Sequence, residues 1–549
     1  MSLEGFDDAA WADESGLGSD IPGRLPFANA VASQIDRCYP GHPSTVFGLV
    51  GSWGSGKTRL LRDIAGRLTH WKVVHFSPWS AADSAAVTKE FIAALSSAFP
   101  RKSPIYKRLG SYARYGTPLL QRVPVFGGVL TKVVDSIWLK NDQKHSWHAD
   151  YSDIAARTEA QGTRVLVIID DVDRLQSDEL YALLRVVRLL GRFRNVHYLM
   201  SYDEDTLRQT LGESENVTSS FLEKIVQYPY EVPPIAVVER RRWSQAMCDE
   251  FGSYIPDSAT GFAEMQNLLV QLLAEALETP RAAGRLNAQL RTTRQLAADA
   301  ELFAYDFIAL SFIRLSHHAL WDNIRRNHAM YKNWGDKSTP EAVQARYEHM
   351  SKIVSGPRLA PLEALVGFLF DSAHEPIGAV MNRRMRDERY FERYFHVNIA
   401  DDDVSEDRIS NALQFLLTGE STRPSVLYLK DSVLGEDQNR ALLSLAYARQ
   451  SSMPDQVTSL ERLRYVAYLH TIIEHRESRN VNVWASVDQW LAGEIHRALR
   501  TQDIEMRTII STVGYESVVA SAYWARRNTT EGKESASLLY TGVCLAWLE

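Results

Sequence analysis

At 549 residues, 45% hydrophobic and 23% charged, the chain is too long for a single core and ordinary for soluble globular protein, so two or three domains are expected. Its net charge of −7 argues against wholesale nucleic-acid coating, and its three widely spaced cysteines, Cys38, Cys248 and Cys544, argue against a disulfide framework or zinc cluster and favour a reducing compartment. The acidic start, Met1 to Asp8, lacks an apolar signal core, and no apolar run approaches the roughly 20 residues needed to cross a bilayer, so a cytoplasmic protein without a transmembrane segment is expected.

Residues 1–18 are expected to form a loose leader. From 19 to 235 short apolar runs alternate with amphipathic stretches, the pattern of a mostly parallel sheet with helices on both faces. Strands are expected at 45–50, 72–76, 165–169 and 196–200. The first runs into Gly51-Ser52-Trp53-Gly54-Ser55-Gly56-Lys57-Thr58, a complete Gly-x4-Gly-Lys-Thr phosphate loop opening a helix at Arg59. Its glycines let backbone N–H groups close around phosphates, Lys57 reaches the terminal phosphates, and the Thr58 hydroxyl joins a Mg²⁺ shell. The third strand, Val165 to Ile169, is apolar throughout and ends in Asp170-Asp171, as a strand buried on both faces does when it delivers carboxylates to its exposed end. In phosphoryl transfer one acid, Asp170, stays with the metal while the other, Asp171, polarises the attacking water.

Between these motifs, residues 101–144 carry nine Lys or Arg against two acids, which suits either a basic partner-binding insertion or a solvated hairpin over the sheet. From 236 onward helical periodicity dominates. Phe262, Met265, Leu268, Leu269, Leu272 and Leu273 form one stripe, and Leu460, Leu463, Val466, Leu469, Ile472 and Ile473 another. A helical lid at 236–335 and a helical C-terminal domain at 336–549 are expected. Two clusters, Arg240-Arg241-Arg242-Trp243 and Arg383 to Arg393, mix cations with aromatic rings and suit nucleic acid or a packed face held by Arg–carboxylate pairs. His145 with His148, and His317 with His318, lack a completing metal-ligand set. Asp401-Asp402-Asp403 reads as a turn before a helix capped near Ser405.

In order along the chain, Ile21-Pro22-Gly23-Arg24-Leu25-Pro26-Phe27-Ala28, the loop with Trp53, Phe76-Ser77-Pro78-Trp79, Ile169-Asp170-Asp171-Val172-Asp173-Arg174, Phe221 to Gln227 and Thr279-Pro280-Arg281 resemble the KAP family of P-loop NTPases over roughly 20–335. The resemblance implies an ATPase core using ATP and Mg²⁺. It is similar in particular to soluble bacterial members that serve anti-phage defence operons, such as the Qat type. Many members carry a transmembrane hairpin where this chain has its basic insertion, and many have Asn where Ser77 stands. Gly23-Arg24 resembles the segment that covers adenine, and Asp203 the residue that senses the γ-phosphate, although a helix cap serves equally there. Arg281 either reports phosphate occupancy or forms a helix-face ion pair. ATP is expected over GTP because no Asn-Lys-x-Asp run follows the later strands. Lys224, Arg188 and Arg192 are candidates for a further cation, supplied in cis or across a homo-oligomer.

Three functions are then open: an ATP-hydrolysing switch acting on operon-encoded protein partners, a nucleic-acid-engaged loader or motor, and an ATP-stabilised scaffold. Asp171 speaks against the scaffold, which has no need of a second carboxylate.

Overall fold

The computed structural model describes residues 21–38, 42–107, 109, 155–190, 193–211, 224–252, 262–332, 334, 340–370, 383–400, 403–417, 422–434 and 458–474, with parts of 491–519. These residues fall into two compact units, one drawn from Met1–Ser244 and Ala274–Ala288, the other from Gln245–Leu273 and Gln289–Glu549. The segment 274–288, within the expected lid, thus belongs to the unit that holds the sheet.

The first unit is a five-stranded, wholly parallel sheet in the order β2-β3-β4-β1-β5. Its strands are β1 (Val46–Val50), β2 (Lys72–Phe76), β3 (Val165–Ile169), β4 (Val196–Tyr202) and β5 (Tyr228–Glu231). Four lie where the apolar runs place them. The fifth escapes pattern reading because Tyr-Pro-Tyr-Glu is short, mostly exposed and interrupted by Pro229. A proline lacks the N–H for a central ladder and is tolerated here because β5 is an edge strand.

Parallel strands need crossovers, and the crossover helices cover both faces. The helices are α1 (Arg24–Asp36), α2 (Lys57–Ala65), α3 (Ser84–Ser97), α4 (Ser177–Leu190) and α5 (Glu204–Leu211). β3 shows the two-residue alternation directly. Val165, Val167 and Ile169 pack with Phe91 and Leu95 of α3 and Leu183 and Val187 of α4, while Leu166 and Ile168 pack with Ile35 of α1 and Leu60 and Ile64 of α2. Each such buried aliphatic side chain is worth about 1.5–3 kcal/mol relative to exposure, so the apolar run of β3 clamps the sheet centre from both sides.

After Glu231 every described regular element is helical. In the second unit the Phe262–Ala276 stripe buries Met265 and Leu269, and the Ser459–Glu474 stripe buries Leu463 and Val466. Here the arginine-rich segment 383–393 is a packed face. Arg384, 1% exposed, donates from Nε to both oxygens of Asp306 (3.0 and 2.8 Å) and from Nη2 to Phe368 O (2.6 Å). Its guanidinium lies 5.5 Å from the Phe303 ring centroid and 5.4 Å from that of Phe368. Arg393 pairs with Asp403 and Glu301, and the Glu301 carboxylate accepts from the amides of Glu406 and Asp407 at the start of helix Glu406–Leu417. An anion at a helix N-terminus satisfies otherwise unpaired N–H groups. Ser405 caps the same helix, accepting from Arg408 N.

Candidate functional site

β4 lies between β1 and β3, so the ends of the latter two stand two strand spacings, about 10 Å, apart at the C-terminal edge of the sheet. The phosphate loop leaves β1 at Gly51, whose amide donates to Tyr202 O of β4 (3.1 Å). Gly56 adopts φ 89°, the left-handed conformation that lets Lys57 open α2. Gly54 has φ 80°, and a Cβ there would lie 2.8 Å from Arg281 Cβ, so only glycine fits. Ser55 Oγ is buried without a hydrogen-bond partner among the described residues, an unspent donor inside an anion cradle. Thr58 is exposed in the first turn of α2.

Lys57 is 9% exposed, and such an ammonium must be satisfied. Its Nζ donates to Gly51 O (2.8 Å) and Ser52 O (3.3 Å) and lies 3.7 Å from Asp173 Oδ2. The loop lysine and the acidic turn therefore meet in space. Asp173 belongs to the Asp-Asp-Val-Asp-Arg run, but nothing in its spacing singled out a partner 116 positions upstream.

Asp170 continues the β2–β3 ladder through its amide to Phe76 O (3.1 Å). Its Oδ1 accepts from Ser201 Oγ of β4 and from Asp171 N. Asp171 sits at φ 58°, in the left-handed region that Asp tolerates better than most residues. Burial, and then the neighbouring Asp170 charge, push its carboxyl above the ordinary range, against the pull of Arg174 at 3.0 Å. A carboxylate raised in this way is a better proton acceptor near neutrality.

Of the two roles open to Asp203, the geometry displays the helix cap. Its Oδ1 caps α5 through the amides of Asp205 and Thr206, and its Oδ2 accepts from Trp53 N (2.9 Å), tying the loop to the end of β4. Arg281, in the first turn of helix Pro280–Asp299, makes a long amide contact with Gly54 O (3.4 Å) and sets its guanidinium 5.3 Å from the Trp53 ring centroid.

Beside the loop is a cavity of about 370 Å³. Arg24, Ser52, Ser55, the run Val232 to Ile235, Arg240 and Glu278 line it. Gly23 precedes Arg24 at the start of α1, with φ 87°. Arg240 and Glu278 were not legible as site residues. Arg240 was visible only as one cation of a basic cluster, and its neighbours take structural places: Trp243 is buried and Arg242 pairs with Glu239.

Arg59 pairs with Asp63 along α2 (3.9 Å), while Arg188 on α4 and Lys224 are exposed. Arg192, the leader, Asp401, Asp402, His145, His148 and all of 101–144 beyond 101–107 and 109 lie outside the described residues. His317 Nδ1 accepts from Leu320 N and His318 lies against Trp321, so both have structural contacts. Among the described residues no group of three or more His, Cys, Asp or Glu is arranged for a metal, and no helix is long and apolar enough to cross a membrane.

Residues 24–297 match the KAP family P-loop domain. The chain is 26% identical over 347 residues to the phage T7 exclusion protein of Escherichia coli K12, covering 55% of this chain and 46% of that protein. It thus spans about half the length of the curated relative it matches. Among solved structures, Cdc6p from Pyrobaculum aerophilum is similar at TM-score 0.32 and 13% identity, covering 66% of this chain and 84% of that one. Drosophila ORC bound to DNA is similar at TM-score 0.24 and 12% identity, with 93% and 96% covered. Likeness this slight carries no argument about function.

Proposed function

The chain belongs to the KAP family through its P-loop domain at residues 24–297, and from that premise we propose that it is a magnesium-dependent ATPase acting as a switch on protein partners in phage exclusion. The observation that carries the enzymatic part is the meeting of Lys57 with the acidic turn after β3, while Ser201 of the intervening strand holds Asp170. The exclusion role is supported by the name of the E. coli relative.

The parts divide the work. Amides of the glycine-lined loop and the Ser55 hydroxyl hold phosphate oxygens, and Lys57 Nζ transfers its hydrogen bonds from Gly51 O and Ser52 O to the terminal phosphate. The cavity beside Arg24 takes the base and ribose. Thr58 and Asp170 offer the hard oxygen donors that magnesium prefers, and a bound ion there would neutralise phosphate charge. Asp171 takes the proton of the attacking water on its carboxylate, and Arg281 reports the loop's occupancy to the helix it opens. Exposed Arg188 and Lys224 are available to act across a subunit boundary.

Lys57→Ala tests the phosphate site itself. Removing a charge-assisted donor costs about 1.5–3 kcal/mol, so calorimetry should show Mg·ATP affinity roughly 10- to 100-fold weaker than wild type. Equal affinity would remove the loop from the binding site.

A further inference from the structure

Arg174 has contacts that the assigned roles do not use. It ends a short 3₁₀ turn, Val172–Arg174, that folds back so that its amide donates to Asp171 O (3.2 Å) and its Nε lies 3.0 Å from Asp171 Oδ1. The same guanidinium lies over two indoles, 5.2 Å from the Trp53 centroid and 5.3 Å from that of Trp79. The arrangement is a product of strand order. Trp79 stands in the 3₁₀ turn Pro78–Ser80 after β2, the neighbour of β3, and Trp53 comes from the loop after β1.

A planar guanidinium stacks on aromatic faces as an ammonium cannot, and contact with two rings limits its freedom more than contact with one. The charged groups facing Asp171 are Asp170, Asp173 and Arg174, so two groups repel its carboxylate and only Arg174 attracts it. Asp173 is itself engaged by Lys57. The direction of the Asp171 carboxylate is therefore set by where Arg174 is held.

Resting on the proposed ATPase activity, we propose that Arg174, held against Trp53 and Trp79, is the positioning residue that aims the Asp171 carboxylate at the attacking water. Because Trp53 is part of the phosphate loop, the seating of that loop determines whether the base is aligned. Arg281, on the same indole, extends the stack to the start of helix Pro280–Asp299.

The test compares full-length Trp79→Ala, Trp79→Phe, Arg174→Gln, Arg174→Lys and Asp171→Asn with wild type. Steady-state Mg·ATP hydrolysis, ATP affinity by calorimetry, and hydrogen–deuterium exchange of peptides spanning 170–176 are measured on each. Trp79→Ala and Arg174→Gln should lower kcat by up to on the order of 10²-fold, the cost of misplacing a reacting group by about 1 Å. ATP affinity should stay at the wild-type value while exchange across 170–176 quickens. Trp79→Phe keeps a stacking face and should restore most of kcat, whereas Arg174→Lys should not. Trp79 is 61% exposed, so its replacement leaves the core intact.

Wild-type kcat in Arg174→Gln or Trp79→Ala, with Asp171→Asn inactive, would overturn this role for Arg174 and leave the ATPase standing. Full activity in Arg174→Lys, or affinity falling in step with kcat, would overturn it equally. A wild-type chain without Mg·ATP turnover would overturn both proposals.

Discussion

Asp171→Asn is expected to bind Mg·ATP as wild type does and to lose about 10²- to 10⁴-fold in turnover, the usual contribution of a positioned general base. The amide keeps the side chain's volume and removes its capacity to take a proton. Phosphate release and calorimetry on the same preparation separate the two quantities. Normal turnover would assign the proton to another group, and the nearby buried Asp173 would be the first to examine. A general base works only when deprotonated, and the Asp171 carboxyl lies above the ordinary aspartate range through burial and the charge of Asp170. The acid limb of kcat should therefore fall at higher pH than an exposed aspartate near 3.9 would produce.

Asp306→Ala should destabilise the second unit by about 3–5 kcal/mol, because it leaves the Arg384 guanidinium buried among Phe303, Phe368 and Met265 without its carboxylate. Asp306 also accepts from Met385 N (2.8 Å), so a backbone amide is orphaned with it. In a unit of this size such a loss is on the order of 10 °C in Tm. Scanning calorimetry reads it as a shift of one transition. The double variant Asp306→Leu with Arg384→Met should recover much of the loss, since exchanging a whole buried pair for apolar side chains is often neutral. A single variant melting with wild type would show that water reaches the pair.

Sheet and loop were legible for a common reason. β3 reads as a strand because it is covered on both faces and must be apolar at every position, and Gly51 to Thr58 reads as a phosphate loop because backbone closure, positive φ and helix entry are demands on neighbouring residues. β5 was missed because an edge strand with Pro229 meets neither demand. Asp173 and Arg174 were visible as letters of a motif, but their partners, Lys57 for one and Trp53 and Trp79 for the other, come from different strand ends. Arg240 and Arg384 looked alike as members of basic clusters. Packing set one beside a cavity and buried the other against Asp306.

Taken alone, the order of amino acids determined the phosphate loop, the acid-tipped strand, the parallel character of the sheet and the helical nature of the chain beyond it, since each depends on contacts within a few residues or on regular alternation. Tertiary structure alone decided that β4 lies between β1 and β3, that Ser201 of that strand bonds Asp170 while Asp203 just after it bonds the loop at Trp53, and that Arg174 lies beside Asp171. Strand order is set by the competition of whole faces for burial, and no short stretch of chain carries that information.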